Sequence, residues 1–269
     1  MLKLDYPIID CHTHVFPEKI AEKAVNAIGN FYGIPMPRSG SMSDLYAEAI
    51  KHGVQKILIT STATKTEQVK SINDFLKMSQ DGCKTYFAFG TLFPEMSQYE
   101  IESEVERMLE MGFFGVKLHP DFQQVKADSE GMKLIAKSVA GKLPVLIHAG
   151  DSRYNFSNPD NIRNLIESAP PTFTLIAAHF GGYSVWEEAA RKLIGYDNLY
   201  VDTCSSLEFL DPNRVVELIE LYGQDKVLFG TDYPMWNYED ELERIEALPI
   251  SDVILKKILY TNANNLFFS

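Results

Sequence analysis

Short apolar runs alternate with longer amphipathic stretches from one end of this chain to the other. The runs lie at residues 8–15, 56–61, 85–90, 114–119, 144–148, 172–179, 199–202 and 226–232. Each is rich in Ile, Val, Leu or Phe and is bounded by Gly, Pro or polar residues, which predicts eight short strands. Helical spacing of apolar positions predicts helices over 17–31, 66–78, 97–111, 129–140, 159–168, 186–194, 212–222, 239–247 and 251–259. A further helix is expected after residues 33–40, which read as a loop from their Gly and Pro content. Ser41 or Ser43 would cap it, and Leu45, Ala49 and Ile50 would form its apolar stripe. Near-continuous apolar strands suit a parallel sheet buried on both faces. Eight strand–helix units in one chain predict an α/β fold of the (β/α)8 barrel type, with an open doubly wound sheet as the alternative. No linker or charge block interrupts the pattern, so residues 1–269 are expected to form a single domain.

Composition narrows the function. The chain is 45% hydrophobic and 23% charged, as expected of a globular protein, and its net charge of -12 argues against a broad nucleic-acid surface. The first residues are too short and polar for a signal peptide, and no apolar run approaches a membrane span. Three widely separated cysteines, with no Cys-x-x-Cys pair, give no disulfide framework and fit a reducing cytoplasm. The expected partner is a small molecule, with neither nucleic acid nor membrane involved; a homodimer is compatible with the composition.

The chemistry concentrates at strand ends. In Ile8-Ile9-Asp10-Cys11-His12-Thr13-His14, strand alternation puts Asp10, His12 and His14 on one face. Two imidazoles so placed can converge on one divalent ion, and histidine nitrogen is a preferred zinc ligand. The chain has six histidines, and five of them (His12, His14, His119, His148 and His179) fall at predicted strand ends. The sixth, His52, precedes Gly53 at a helix end and reads as structural. In a (β/α)8 barrel those ends carry the active site. Semi-buried imidazoles and a carboxylate such as Asp232 are costly unless a cation joins them. A catalytic zinc keeps an open position and lowers the pKa of bound water to about 7, while a nearby carboxylate moves the proton.

These residues carry a resemblance. Asp10-Cys-His12-Thr-His14, Gly115-Val-Lys-Leu-His-Pro120, His148-Ala-Gly150, the histidine ending strand six, Phe229-Gly-Thr-Asp-Tyr-Pro234 and Asn262-Ala-Asn-Asn-Leu-Phe267 resemble, in order, the amidohydrolase superfamily. The likeness is to its amidohydrolase-related branch, which includes aminocarboxymuconate-semialdehyde-decarboxylase-like proteins. It implies that His12, His14, His148 and Asp232 ligate one Zn2+, or another divalent ion such as Mn2+. It further implies that His179 polarises the substrate or holds metal-bound water, and that Asp232 shuttles the proton. Asp10 either orients an imidazole or caps backbone groups. Lys117 is either carboxylated, bridging two metals as in dihydroorotases, or an ammonium facing a carboxylate, with one metal favoured. His119 shares its face and lines the pocket mouth or packs beside Pro120. Arg153 is the candidate partner for a substrate carboxylate, with Asp151 and Tyr154 beside it, and Phe93, Phe122 and Trp236 form a candidate apolar wall. The implied activity is hydrolysis of an amide, ester or lactone by metal-activated water. The alternative on the same site is non-oxidative decarboxylation of a small carboxylic acid.

Overall fold

In the computed structural model, which describes residues 6–269, eight strands form one sheet in sequential order. They are β1 (Ile8–His14), β2 (Val54–Thr60), β3 (Tyr86–Thr91), β4 (Gly115–Leu118), β5 (Val145–Ile147), β6 (Leu175–Ala177), β7 (Leu199–Asp202) and β8 (Val227–Leu228). One or more helices follow each strand, and the fold is the (β/α)8 barrel that the alternation predicts. Strand interiors are largely apolar: Ile57, Leu58 and Ile59 of β2 and Val145, Leu146 and Ile147 of β5 are fully buried.

The chain divides into two compact units that interleave along the sequence. One comprises Met1–Thr60, Cys83–Phe87 and Thr203–Ser269; the other comprises Ser61–Gly82 and Ala88–Asp202. In the first unit β1 pairs parallel with β2. On its other side β1 meets the chain beyond β8, through Cys11 N–H to the Phe229 carbonyl (2.9 Å) and Asp232 N–H to the His12 carbonyl (2.8 Å). These bonds run the last strand segment alongside the first. In the second unit the ladders from β3 to β7 are parallel and in register, with Lys117 opposite Leu146 and Leu146 opposite Ile176.

Capping explains most helix starts. Ser41, Ser97, Ser129, Asn158, Asn237 and Ser251 each accept a backbone N–H of the first turn, and Ser97 with Glu100 completes a capping box. Pro159 and Pro212 occupy first-turn positions, where the missing N–H costs nothing.

Several expectations are corrected in detail. Ile50 is exposed rather than part of the apolar stripe, which Leu45 and Ala49 form alone. Pro120 ends β4 but also starts a short helix, Pro120–Gln123. The C-terminal helix expected over 251–259 is instead a helix over Asp252–Lys256, a π turn over Lys257–Thr261 and a final helix over Asn262–Phe267. Strand ladders stop earlier than the apolar runs. His119, His148, His179 and Asp232 therefore lie in the loops just past β4, β5, β6 and β8.

Candidate metal centre

Backbone strain marks where chemistry is expected. Among the described residues, seven that are not glycine have positive φ: Gln124, Asp151, His179, Phe180, Ser184, Ser205 and Asp232. All seven follow one of the strands β4 to β8. A non-glycine residue held in the left-handed region costs about 1–3 kcal/mol and persists only where its surroundings over-determine it. For His179 one such determinant is Asp202, whose carboxylate accepts the His179 N–H at 2.8 Å.

In the first unit, β1 and the loop past β8 bring His12, His14 and Asp232 together. The Nε2 atoms of His12 and His14 are 3.2 Å apart, and Asp232 Oδ1 lies 3.5 Å from the first and 3.2 Å from the second. The centre of that triangle is about 1.9 Å from each corner, so an ion slightly above its plane would meet the roughly 2.0–2.2 Å that divalent zinc takes to such ligands. Repulsive lone pairs do not gather this closely in a buried place without a cation or a proton between them. Their donor set of two imidazoles and one carboxylate suits Zn2+ or Mn2+.

The tautomer of His14 is fixed by its neighbours. The Thr60 hydroxyl donates to the Thr13 carbonyl at 2.7 Å, so toward His14 Nδ1, at 3.1 Å, it is an acceptor. His14 then carries its hydrogen on Nδ1 and presents the Nε2 lone pair to the triangle. His12 is also tethered from behind: its Nδ1 lies 3.0 Å from Cys204 Sγ.

Of the two readings of Asp10, the structure realises the second. Its Oδ1 accepts from the backbone N–H groups of His12 and Thr231, and its Oδ2 from the Thr231 hydroxyl at 2.6 Å. Burial pushes the Asp10 carboxyl up to about 7, against these bonds. Asp10 thus ties β1 to the loop past β8, which sets the spacing of the triad.

Gly230 makes that approach possible, because a Cβ there would stand 2.8 Å from the His12 Cβ. A Cβ cannot swing aside, so Gly230→Ala must displace β1. The expected result is a divalent-metal affinity lower by about ten- to a hundredfold, the usual range for disturbing a ligand's support. Equilibrium dialysis checks this, and wild-type affinity would contradict it.

The second unit also gathers a buried cluster. His148 Nδ1 is 3.0 Å from His179 Nε2, and His148 Nε2 is 3.6 Å from Asp121 Oδ2. His119 stacks flat between Phe122 and His148, with ring centroids at 3.7 and 4.0 Å, and its Nδ1 accepts the Phe122 N–H. Asp121 accepts the Ser157 hydroxyl, and burial, followed by the charge of Asp151, raises its carboxyl to about 6. His119, Asp121 and His148 are close enough to suggest a second ion. The stacking argues otherwise: two parallel rings point their in-plane lone pairs side by side, not at one centre. His119 is therefore packed by aromatic faces, as the strand pattern allowed.

Lys117 is fully buried on β4. Arg153 does not present a free guanidinium: it binds Asp151 at two points, with Nε to Oδ1 at 2.9 Å and Nη2 to Oδ2 at 2.6 Å, and lies over the Tyr154 ring. Of the expected apolar wall, Phe93 is buried, Phe122 stacks on His119, and Trp236 uses its indole N–H as a donor to Ser205 Oγ at 2.9 Å. His52 caps its helix as expected, and its ring nitrogens are buried with no hydrogen-bond partner among the described residues.

Thr60, Asp121, Asp202, Cys204 and Ser205 escaped the sequence reading. Thr60 and Asp202 end apolar strands, and Asp121, Cys204 and Ser205 follow such strands within three residues, but sequence alone does not say which neighbouring group each one touches.

The amidohydrolase family model matches residues 9–268, nearly the whole chain. The chain belongs to the amidohydrolase family. A curated relative, gamma-resorcylate decarboxylase of Polaromonas sp. (strain JS666), is 29% identical over 116 residues, covering 36% of this chain and 35% of that protein. Among solved structures, a dihydroxybenzoic acid decarboxylase from Polaromonas sp. JS666 with bound manganese and the inhibitor 2-nitroresorcinol superposes with a TM-score of 0.76 at 18% identity, covering 97% of this chain and 96% of that one. The 5-carboxyvanillate decarboxylase of Sphingomonas paucimobilis gives a TM-score of 0.75 at 15% identity, covering 97% and 98%. At these identities the structural likeness carries the amidohydrolase barrel. No helix among the described residues is long and apolar enough to cross a membrane.

Proposed function

We propose that this amidohydrolase-family chain, acting as one domain, is a divalent-metal-dependent decarboxylase of a small aromatic carboxylic acid. The observation that carries the metal dependence is the His12–His14–Asp232 triangle. The choice of reaction is supported by the relatives, which are decarboxylases of dihydroxybenzoate, resorcylate and carboxyvanillate. They favour this reading over the hydrolysis of an amide, ester or lactone that the sequence motifs first suggest. The manganese of the Polaromonas enzyme makes Mn2+ as natural a candidate here as Zn2+.

His12, His14 and Asp232 would hold one ion, and the family resemblance adds His148 as a further ligand. When bound, the ion supplies a positive charge that anchors a substrate carboxylate or an adjacent hydroxyl. With one ion, Lys117 has no second metal to bridge and no need of carboxylation. Asp232 relays a proton: it takes the one given up by the hydroxyl next to the substrate carboxylate and passes it to the ring carbon, which keeps the electron pair of its breaking bond to the carboxylate while carbon dioxide departs. His179 orients the carboxylate. Arg153, tied to Asp151, is left outside the chemical step.

A panel of ortho-hydroxybenzoates and of lactones and amides, each assayed with Mn2+ and with chelator, tests the proposal. Carbon dioxide release from the benzoates, abolished by chelator, is the expected result. Metal-dependent hydrolysis of a lactone or amide without carbon dioxide release would return the hydrolase reading.

A further inference from the structure

We propose that Cys204 and Ser205, consecutive residues in the loop after β7, are positioning residues that select which atom of His12 and which atom of Asp232 faces a divalent ion. The inference rests on the metal triad proposed above.

For His12 to offer Nε2 to an ion, its Nδ1 must carry the hydrogen, and that hydrogen needs an acceptor. His14 has the Thr60 hydroxyl for this purpose. His12 Nδ1 points at the sulfur of Cys204, 3.0 Å away and fully buried, so the imidazole N–H donates to Sγ. Sulfur is a weak acceptor, yet no solvent competes for the bond at this depth.

The neighbouring residue acts on the third corner. Trp236 donates its indole N–H to Ser205 Oγ, and an indole has no acceptor, so the direction of that bond is fixed. The hydrogen of Ser205 is then free to go to Asp232 Oδ2, at 2.6 Å. With Oδ2 held in this way, Oδ1 is the oxygen left to face His12 and His14. Ser205 sits at φ 49, a left-handed conformation unusual for serine, which turns its hydroxyl onto Asp232. The missing side chain of Gly230 lets the His12–Cys204 contact form, because a Cβ there would meet the Cβ atoms of His12 and Cys204 at 2.8 and 3.4 Å. Two adjacent side chains thus set the tautomer of one ligand and the binding oxygen of another.

The test is titration of metal-free protein with Mn2+, following free Mn2+ by electron paramagnetic resonance, in wild type, Cys204→Ala, Cys204→Ser and Ser205→Ala. Expected are a Kd raised by about ten- to a hundredfold in both alanine variants, and an intermediate value for Cys204→Ser, whose oxygen can accept the same bond. Melting temperatures of the metal-free proteins should be unchanged, which separates a positioning role from a structural one. If Cys204→Ala melts lower, Cys204→Ser and Ser205→Ala decide. Wild-type affinity in the variants that fold would overturn the inference while leaving the triad intact. Wild type that itself takes up no Mn2+ would instead overturn the metal reading. Co2+-loaded wild type should lack a thiolate charge-transfer band in the near ultraviolet; its presence would make Cys204 a ligand and refute the positioning role.

Discussion

Replacing His12 with alanine is expected to strip the protein of its divalent ion and of turnover together. Structural zinc sites bind with about 10–16 kcal/mol through four ligands, roughly 3 kcal/mol each, so losing one ligand is expected to cost a hundredfold or more in Kd. The geometry adds to this, because Cys204 loses the group it holds and Asp232 Oδ1 loses one of the two imidazoles of the triangle, with His14 left at 3.2 Å. His12 is fully buried, so the variant also leaves a void in the interior. Elemental analysis after dialysis, beside a carbon dioxide assay, reads both effects. Unchanged metal content would remove β1 from the site.

Asp232→Asn separates binding from chemistry. An amide oxygen can still approach an ion, so partial metal occupancy is expected to survive. An amide cannot donate and recover a proton at neutral pH, and loss of a general acid costs about 10²–10⁴ in rate. The predicted outcome is a kcat lower by that factor, in a protein that still binds Mn2+ at saturating concentration. Steady-state rates at matched metal occupancy check it, and a kcat within a few-fold of wild type would take the proton away from Asp232.

Much of this site was visible in the residue order. Strand alternation puts His12 and His14 on a common face, and they meet at 3.2 Å even though the β1–β2 register shifts between Asp10 and Thr13. Asp232 was found through its Gly-Thr-Asp motif, and it reaches β1 because the chain past β8 keeps bonding to that strand after the formal ladder ends. Two things were not legible. The first is the fate of long polar side chains: Arg153 looked available for a substrate, but a carboxylate two residues away holds it, and no periodicity reports such a pair. The second is the set of groups behind the ligands. Thr60, Cys204 and Ser205 matter through single atoms at single distances, and Ser205 depends on a φ that its sequence gives no reason to expect. The final π turn and helix, Lys257–Thr261 and Asn262–Phe267, were missed for a related reason: a π turn breaks the 3.6-residue spacing by which helices are recognised.

The same limit applies to function. The motifs that identify the amidohydrolase barrel serve hydrolysis and decarboxylation alike, since both need a cation beside a proton-carrying carboxylate. What tilts the reading toward decarboxylation is the company the chain keeps.

The most direct test is anomalous diffraction at the manganese edge from crystals grown with Mn2+. A single peak about 2.1 Å from His12 Nε2, His14 Nε2 and Asp232 Oδ1 is the predicted result. No peak within bonding distance of those three atoms, with manganese present at saturating concentration, would contradict it.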